Sequence, residues 1–326
     1  MQKETIFQKL QRSIESLQIG DSEKQKLRDG INRLKNQKTN LLITGATGSG
    51  KSSTINALFG TDTAKVGMGV DPETMDIQKY ELDNLVLWDS PGLGDGKEKD
   101  QRHAKGIIKK LNELDKDGRP LIDLVLVILD GGSRDLGTSY ELINQVIIPN
   151  LGERAQERII VAINQADIAM KGQHWDHETN QPKPKLISFL DDKVRSVKER
   201  IKEATGVDVD PIYYCAGYKE DGEQQKPWNL SKLLFLIVNS TPLEKRLPYM
   251  DNISADQEMW KDDDGLKDYK KEVQRSFQEV ASHVAKNVAA GAAAGAALGS
   301  VVPVIGTAIG AAVGGALGFF AGLLGF

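Results

Sequence analysis

With 326 residues the chain has room for two domains, or for one domain with extensions. A net charge of −4 argues against nucleic acid as the main partner, because no strongly basic face is guaranteed. The single cysteine excludes an intramolecular disulfide and fits a reducing compartment, and the opening Met-Gln-Lys-Glu-Thr lacks the apolar core of a secretory signal, so a cytoplasmic location is expected.

Residues 1–37 read as two charged amphipathic helices. In the first, Ile6, Phe7, Leu10, Ile14 and Leu17 fall close to helical spacing. The second is expected to open on a capping box from Ser22 to Gln25 and to carry Leu27, Ile31 and Leu34 on one face. These helices serve either as a lid packed on the domain C-terminal to them or as a surface for a partner or second copy.

An apolar run, Leu41-Leu42-Ile43, then delivers Gly45-Ala46-Thr47-Gly48-Ser49-Gly50-Lys51-Ser52, followed by Ser53 and a helical stretch ended by Gly60. This is the complete G-x-x-x-x-G-K-[ST] loop. Its glycines let backbone N–H groups approach phosphate oxygens, and the helix N-terminus adds a favourable dipole. Lys51 is placed to reach the β- and γ-phosphates, and Ser52 to hold Mg²⁺. Residues 45–53 are therefore read as binding a nucleoside triphosphate.

The loop between Gly60 and Ile77 is expected to act as a switch ordered by the γ-phosphate. Thr74 is the candidate for contact with Mg²⁺ and the γ-phosphate, with Thr61 and Thr63 as competitors. A strand near 77–82 and a turn at Asp83-Asn84 precede Leu85-Val86-Leu87-Trp88, which runs into Asp89-Ser90-Pro91-Gly92. In this D-x-x-G arrangement Asp89 helps hold Mg²⁺ through water and the Gly92 N–H senses the γ-phosphate. Lys51, Thr74 and Gly92 are the candidate catalytic residues. Further along, 121–129 is nearly continuous apolar text, as expected of a strand covered on both faces. The strand 158–163 ends in Asn164-Gln165-Ala166-Asp167, close to the N-K-x-D guanine-reading motif. The Asp167 carboxylate can accept from guanine N1–H and the exocyclic amine, which adenine cannot offer in that arrangement. Ile212-Tyr213-Tyr214 ends in Cys215-Ala216-Gly217, where the Ala216 N–H is expected to meet guanine O6.

With strands near 39–44, 77–82, 84–89, 121–129, 158–163 and 211–215, and helices near 52–59, 101–115, 138–148, 186–204 and 229–239, the pattern is an α/β fold with a doubly wound sheet. Only 77–82 and 84–89 are joined tightly enough to be antiparallel. The four motifs, in this order and each at a strand's C-terminal end, resemble the translation-factor-related GTPases, especially the Era/TrmE-like group. GATGSGKSSTINALFG and DSPGLG are also similar to septin, Toc and immunity-related GTPases. The resemblance covers residues 38–240. It implies a Ras-like P-loop GTPase domain that hydrolyses GTP to GDP and phosphate with Mg²⁺ at Ser52, Thr74 and Asp89.

Four positions depart from the pattern. Gln165 replaces the lysine whose stem packs on guanine, and Cys215 replaces serine, a change expected to be mild because the donor there is backbone. Leu93 stands where Ras-like proteins place a water-orienting glutamine, and Gly48 where the Era/TrmE-like group has a potassium-binding asparagine. Slow intrinsic hydrolysis is expected. Asp95 and Arg134 are read as surface charges before catalytic ones, and nucleotide-dependent dimerisation is expected from the resemblance.

Two further stretches carry bland readings. His174, Asp176, His177 and Glu178, in the insertion 171–185, lack a second ligand cluster and are read as structural or exposed. Lys193 to Lys202 is read as the solvated face of a helix. Residues 241–287 are expected as a polar linker and helix. From Asn287 to Phe326 no side chain is charged, and glycine recurs every fourth residue from Gly291 to Gly299 and from Gly306 to Gly322. That small-x-x-x-small spacing suits close-packed membrane helices, so 288–326 is expected to enter a membrane as a Gly/Ala-rich hydrophobic helical hairpin or a single anchor. Residues 304–326 would span about 34 Å at ~1.5 Å per residue, against a hydrocarbon core of about 30 Å. The competing reading is a hairpin folded on the protein itself. The two candidate function classes are a GTP-hydrolysing switch or assembly protein at a membrane, and a non-enzymatic pore-forming or scaffolding protein gated by guanine nucleotide.

Overall fold

The computed structural model describes residues 5–16, 20–60, 65–68, 77–217, 219–220 and 223–292. Thr74, Thr61, Thr63, Leu17 and 293–326 lie outside these. Of the expected glycine-zipper segment only 288–292 is described, as the end of a helix. Among the described residues no helix is long and apolar enough to cross a membrane.

Helix α1 (Ile6–Glu15) opens on Thr5, whose hydroxyl accepts the Gln8 N–H while the Gln8 side chain accepts the Thr5 N–H. The capping box therefore sits one helix earlier than expected. Helix α2 (Asp21–Lys35) begins on Gly20 without a side-chain cap, which leaves Ser22 inside the helix and Gln25 bonded to Asp29. The chain then enters β1 (Thr39–Gly45), α3 (Lys51–Phe59), β2 (Lys65–Met68), β3 (Gln78–Glu81) and β4 (Leu85–Asp89). Strand β2 corrects the expectation of a bare switch loop: it pairs antiparallel with β3, which pairs antiparallel with β4.

After α4 (Lys97–Asn112) comes β5 (Leu124–Asp130). A helical path follows through α5 (Gly137–Glu141), a π-helical turn (Leu142–Ile147) and α6 (Ile148–Leu151), breaks at Gly152 (φ +71°), and resumes in α7 (Ala155–Arg158). Then come β6 (Ile159–Asn164), the small hairpin β7 (Trp175–Asp176) and β8 (Gln181–Pro182), α8 (Pro184–Thr205), β9 (Ile212–Tyr213), α9 (Leu230–Ser240), α10 (Leu247–Asn252) and α11 (Tyr269–Ala292).

The seven-stranded sheet has the order β2-β3-β4-β1-β5-β6-β9, parallel from β4 to β9. Strand alternation sends Leu41, Ile43, Leu87 and Leu126 to one apolar cluster and Leu42, Val86, Val125 and Val127 to the other. Helices cover both faces, which makes the parallel sheet a doubly wound α/β fold.

The first cluster also takes Ile6, Phe7, Leu10 and Ile14 from α1, so the N-terminal helix packs on the sheet domain as a lid does. The α1 N-terminus is tied by the Ile6 N–H, which donates to the Asp251 carboxylate at 2.8 Å. Residues 241–287 are not a free connector. Tyr249, Trp260 and Phe277 are fully buried in the same cluster, and burying a side chain of Phe size contributes about 1.5–3 kcal/mol. Their apolar residues are dispersed among charges, which made the stretch read as polar. Lys245 closes the base of the sheet, its ammonium 2.6 Å from Asp123 Oδ1 with both side chains buried, while Asp123 Oδ2 accepts the Asn40 N–H.

Candidate functional site

The site lies along the C-terminal ends of β1, β4, β6 and β9, where a doubly wound sheet opens its crevice. Gly50 takes φ +86° and starts α3 with no side-chain cap. The first-turn N–H groups of Lys51, Ser52 and Ser53 therefore face an anion site with the helix dipole behind them. A Cβ at Gly50 would lie 2.2 Å from Asn164 Nδ2, so this glycine is what lets the phosphate loop meet the 164–167 motif.

Lys51 folds back over the loop and donates to the Ala46 carbonyl at 3.0 Å. Burial holds its pKa below the usual lysine value, opposed by the charges of Asp89 and Asp95. The Ser52 hydroxyl donates to Asp89 Oδ2 at 3.0 Å. Asp89 is buried, which pushes its carboxyl above the usual range against the Ser52 hydrogen bond and the Lys51 charge. Its Oδ1 is buried without a hydrogen-bond partner. A hard-oxygen pair with one orphaned carboxylate oxygen fits a divalent cation of the Mg²⁺ type.

The D-x-x-G segment docks directly on the phosphate loop. The Thr47 N–H donates to the Leu93 carbonyl at 2.9 Å, and a Cβ at Gly92 would come within 2.5 Å of Thr47 backbone atoms. Only glycine fits there. The Gly92 carbonyl is also 3.1 Å from Nδ1 of the buried His103 on α4, a tie that the motif text did not reveal. Leu93 is buried in the apolar cluster with Leu42 and Trp88, turned into the core. Asp95 and Arg134 are exposed, and the Asp95 backbone N–H rests on Asp100.

The 164–167 motif and the 215–217 loop are laced together. Asn164 Nδ2 donates to the Ser49 carbonyl at 3.0 Å, and Gln165, at φ +60°, reaches the Gly48 carbonyl at 2.9 Å. Gln165 thus bridges to the phosphate loop. The Ala216 N–H, expected at guanine O6, donates instead to Asn164 Oδ1 at 2.9 Å, because Asn164 lies between the two loops. Cys215 contributes its side chain as well as its backbone. Its thiol donates to Asp167 Oδ1 at 3.1 Å and accepts the Asp167 N–H at 3.2 Å. Burial and the neighbouring carboxylate push the thiol pKa up, so it stays protonated and keeps that donor. Gly217 follows in the same loop, at φ +67°.

Two supports were not visible in the motifs. Lys193 is not on a solvated face: its ammonium donates to the carbonyls of Asp130, Gly131 and Ser133, at 3.2, 2.7 and 2.7 Å. The Gly131 N–H in turn donates to the Asn164 carbonyl at 2.7 Å. The 171–185 insertion supplies Trp175, buried edge-on against Trp228 beneath Ala166 and Cys215. Asp176 in that hairpin accepts the N–H groups of Glu178 and Thr179. Among the described residues no three His, Cys, Asp or Glu side chains form a metal-holding group.

Residues 40–165 match the family model of the 50S ribosome-binding GTPases. The uncharacterized protein YfjP of Escherichia coli K12 is 30% identical over 168 residues, covering 50% of this chain and 53% of that protein. Interferon-inducible GTPase 1 of Mus musculus is 39% identical over 72 residues, 20% of this chain and 17% of that one. The chain spans about half the length of the first relatives it matches. Among solved structures, Toc33 from Arabidopsis thaliana in complex with Mg²⁺ and GMPPNP is 16% identical, covers 66% of this chain and 88% of its own, and has a TM-score of 0.38. The chain carries a P-loop GTPase domain.

Proposed function

We propose that the chain hydrolyses GTP to GDP and phosphate and works as a membrane-associated switch or assembly GTPase, nearest in its motif text to the Era/TrmE-like group. The observation that carries the nucleotide chemistry is the Ser52–Asp89 pair at the uncapped head of α3, with Asp89 Oδ1 unpartnered. Ser52 and Asp89, with Thr74, would hold Mg²⁺, which when bound neutralises charge on the β- and γ-phosphate oxygens. Lys51 binds the same phosphates, the Gly92 N–H reports the γ-phosphate, and Asp167 reads guanine from an orientation set by Cys215. The domain is placed in the cytoplasm and the charge-free segment 288–326 at a membrane.

A second reading has its own observation. The Leu93 side chain is buried in the apolar core and offers no polar group for a hydrolytic water, which favours a non-enzymatic membrane protein gated by guanine nucleotide.

The deciding experiment measures GTP turnover of the full chain and of residues 1–286, with and without liposomes, alongside vesicle flotation. The proposed function expects turnover that disappears in Lys51→Ala and flotation that requires 287–326. Nucleotide-dependent flotation with no turnover above that of Lys51→Ala selects the gated reading. Equal recovery of both forms in the soluble fraction ends the membrane role.

A further inference from the structure

Helix α4 turns one stripe of residues into the protein: His103, Gly106, Ile107, Lys110 and Leu111. This is the three- and four-residue spacing of a helix face packed on a sheet. Ile107 and Leu111 enter the apolar cluster with Leu42, Val86 and Leu93, and the Lys110 ammonium sits 4.0 Å from the centre of the Trp88 ring. At the N-terminal end of the same stripe stands an imidazole, His103, only 7% exposed. Burying an imidazole costs free energy unless its ring nitrogens find partners. Nδ1 has one in the Gly92 carbonyl at 3.1 Å. A carbonyl oxygen only accepts, so Nδ1 carries the proton in this contact.

That bond completes a clamp on one peptide plane. The Gly92–Leu93 peptide is held at its carbonyl by His103 and at its N–H by the Gly45 carbonyl, at 3.4 Å. One peptide further on, the Leu93 carbonyl accepts the Thr47 N–H at 2.9 Å. On the other side, the Ser90 N–H donates to the Ile43 carbonyl at 3.0 Å, and the ring of Pro91 fixes its own φ. The Gly92 N–H lies between these anchors, and its direction follows from them. Of the partners named, Ile43, Gly45 and Thr47 belong to β1 and the phosphate loop. His103 comes from a different element, the helix that follows the motif.

We propose that His103 is the positioning residue of the γ-phosphate contact. It orients Gly92 so that the Gly92 N–H is presented to the terminal phosphate of a nucleoside triphosphate, and it carries the state of that phosphate to α4. The proposal rests on the reading of Gly92 as the γ-phosphate sensor of a nucleotide site. A nucleoside diphosphate has no group at that position, so His103 bears on the triphosphate and leaves diphosphate affinity unchanged. An imidazole kept for packing alone would affect both nucleotides equally, because both occupy the same phosphate loop.

The test measures calorimetric binding of GDP and of a non-hydrolysable GTP analogue, each with Mg²⁺, to the full chain. His103→Leu keeps a buried side chain and removes the donor, whereas His103→Asn keeps a donor on the atom that corresponds to Nδ1. His103→Leu should weaken the analogue about fivefold, the worth of one ordinary hydrogen bond, with GDP affinity unchanged. His103→Asn should bring the analogue back to within about twofold of wild type. Equal weakening of both nucleotides, no weakening of either, or an asparagine variant as weak as the leucine one overturns the role. A second measurement on the wild type covers the case in which His103→Leu does not fold. The His103 imidazole resonances, assigned by their loss in His103→Asn, should shift with the analogue and not with GDP; the same position with both nucleotides overturns the proposal. A wild type that binds neither nucleotide overturns the nucleotide reading and this role with it, whereas the other adverse results remove the role alone.

Discussion

Asp167 is held from two sides by one sulfur, and that arrangement sets the tolerance of the base site to change. The Cys215 thiol donates to Oδ1 and accepts the Asp167 N–H, so it fixes the carboxylate proposed to read guanine. Cys215→Ser keeps a donor and an acceptor and should leave GTP affinity within about threefold. Cys215→Ala removes a hydrogen bond to a charged group, and at ~1.4 kcal/mol should weaken GTP about tenfold. Competition against a fluorescent guanine nucleotide measures both, and equal affinities for the two variants would show that the sulfur does not position Asp167. Asp167→Asn should lower GTP affinity by at least about tenfold and improve relative binding of xanthosine triphosphate, which presents the inverted partner. Wild-type protein that binds ATP as tightly as GTP contradicts this reading of the motif. That the phosphate loop, Asp89 and the 164–167 motif meet at strand ends was legible, because each follows an apolar strand. Lys193 and His103 were not, since both act on backbone carbonyls that any residue could supply.

At the scale of elements, apolar continuity was the reliable signal. The text from Leu124 to Leu129 is a strand buried on both faces, as its composition required. Strand β2 escaped because Lys65–Met68 is short and its partner, β3, is formed from residues beyond the loop. The α2 capping box failed because the helix starts two residues earlier, at Asp21, which takes Ser22 off the cap position. The most consequential miss is the stretch after 241, which packs on the sheet through buried Tyr249, Trp260 and Phe277 and adds a buried ion pair. Burial pushes the Asp123 carboxyl above its usual pKa even with Lys245 beside it. Lys245→Met should therefore cost about 3–5 kcal/mol by stranding that carboxylate, and Lys245→Met/Asp123→Asn should recover most of the loss while keeping an acceptor for the Asn40 N–H. Urea unfolding of the full chain at neutral pH checks this; equal losses in the single and double variants would show that the charge is not the cause. A carboxyl whose folded pKa is raised favours folding while protonated and loses that advantage as pH climbs from its unfolded value, about 4, through the folded one. The Lys245→Met deficit should shrink toward pH 4.

For the whole molecule, the proposed hydrolysis requires a group that arranges the attacking water. The residue after D-x-x-G is Leu93, whose side chain is packed into the core while its carbonyl holds the Thr47 N–H. The matching phosphate-loop position for a cation-binding asparagine is Gly48, which has no side chain to offer. Lys51 and the Ser52–Asp89 pair can bind the phosphates and a divalent cation, but neither orients a water in line. With Asp95 and Arg134 exposed on segments that follow β4 and β5, the missing group can be supplied across the nucleotide face by a second copy. Turnover per molecule should then be slow when the protein is dilute and rise with concentration in the presence of GTP, up to a plateau where the dimer is saturated. A transition-state analogue should trap that dimer. Arg134→Ala and Asp95→Ala, assayed singly, should separate the residue that acts from the one that does not, with nucleotide affinity unchanged in both. A rate per molecule that stays level across about a hundredfold dilution, with no dimer in the analogue complex, would place the water-orienting group within a single chain.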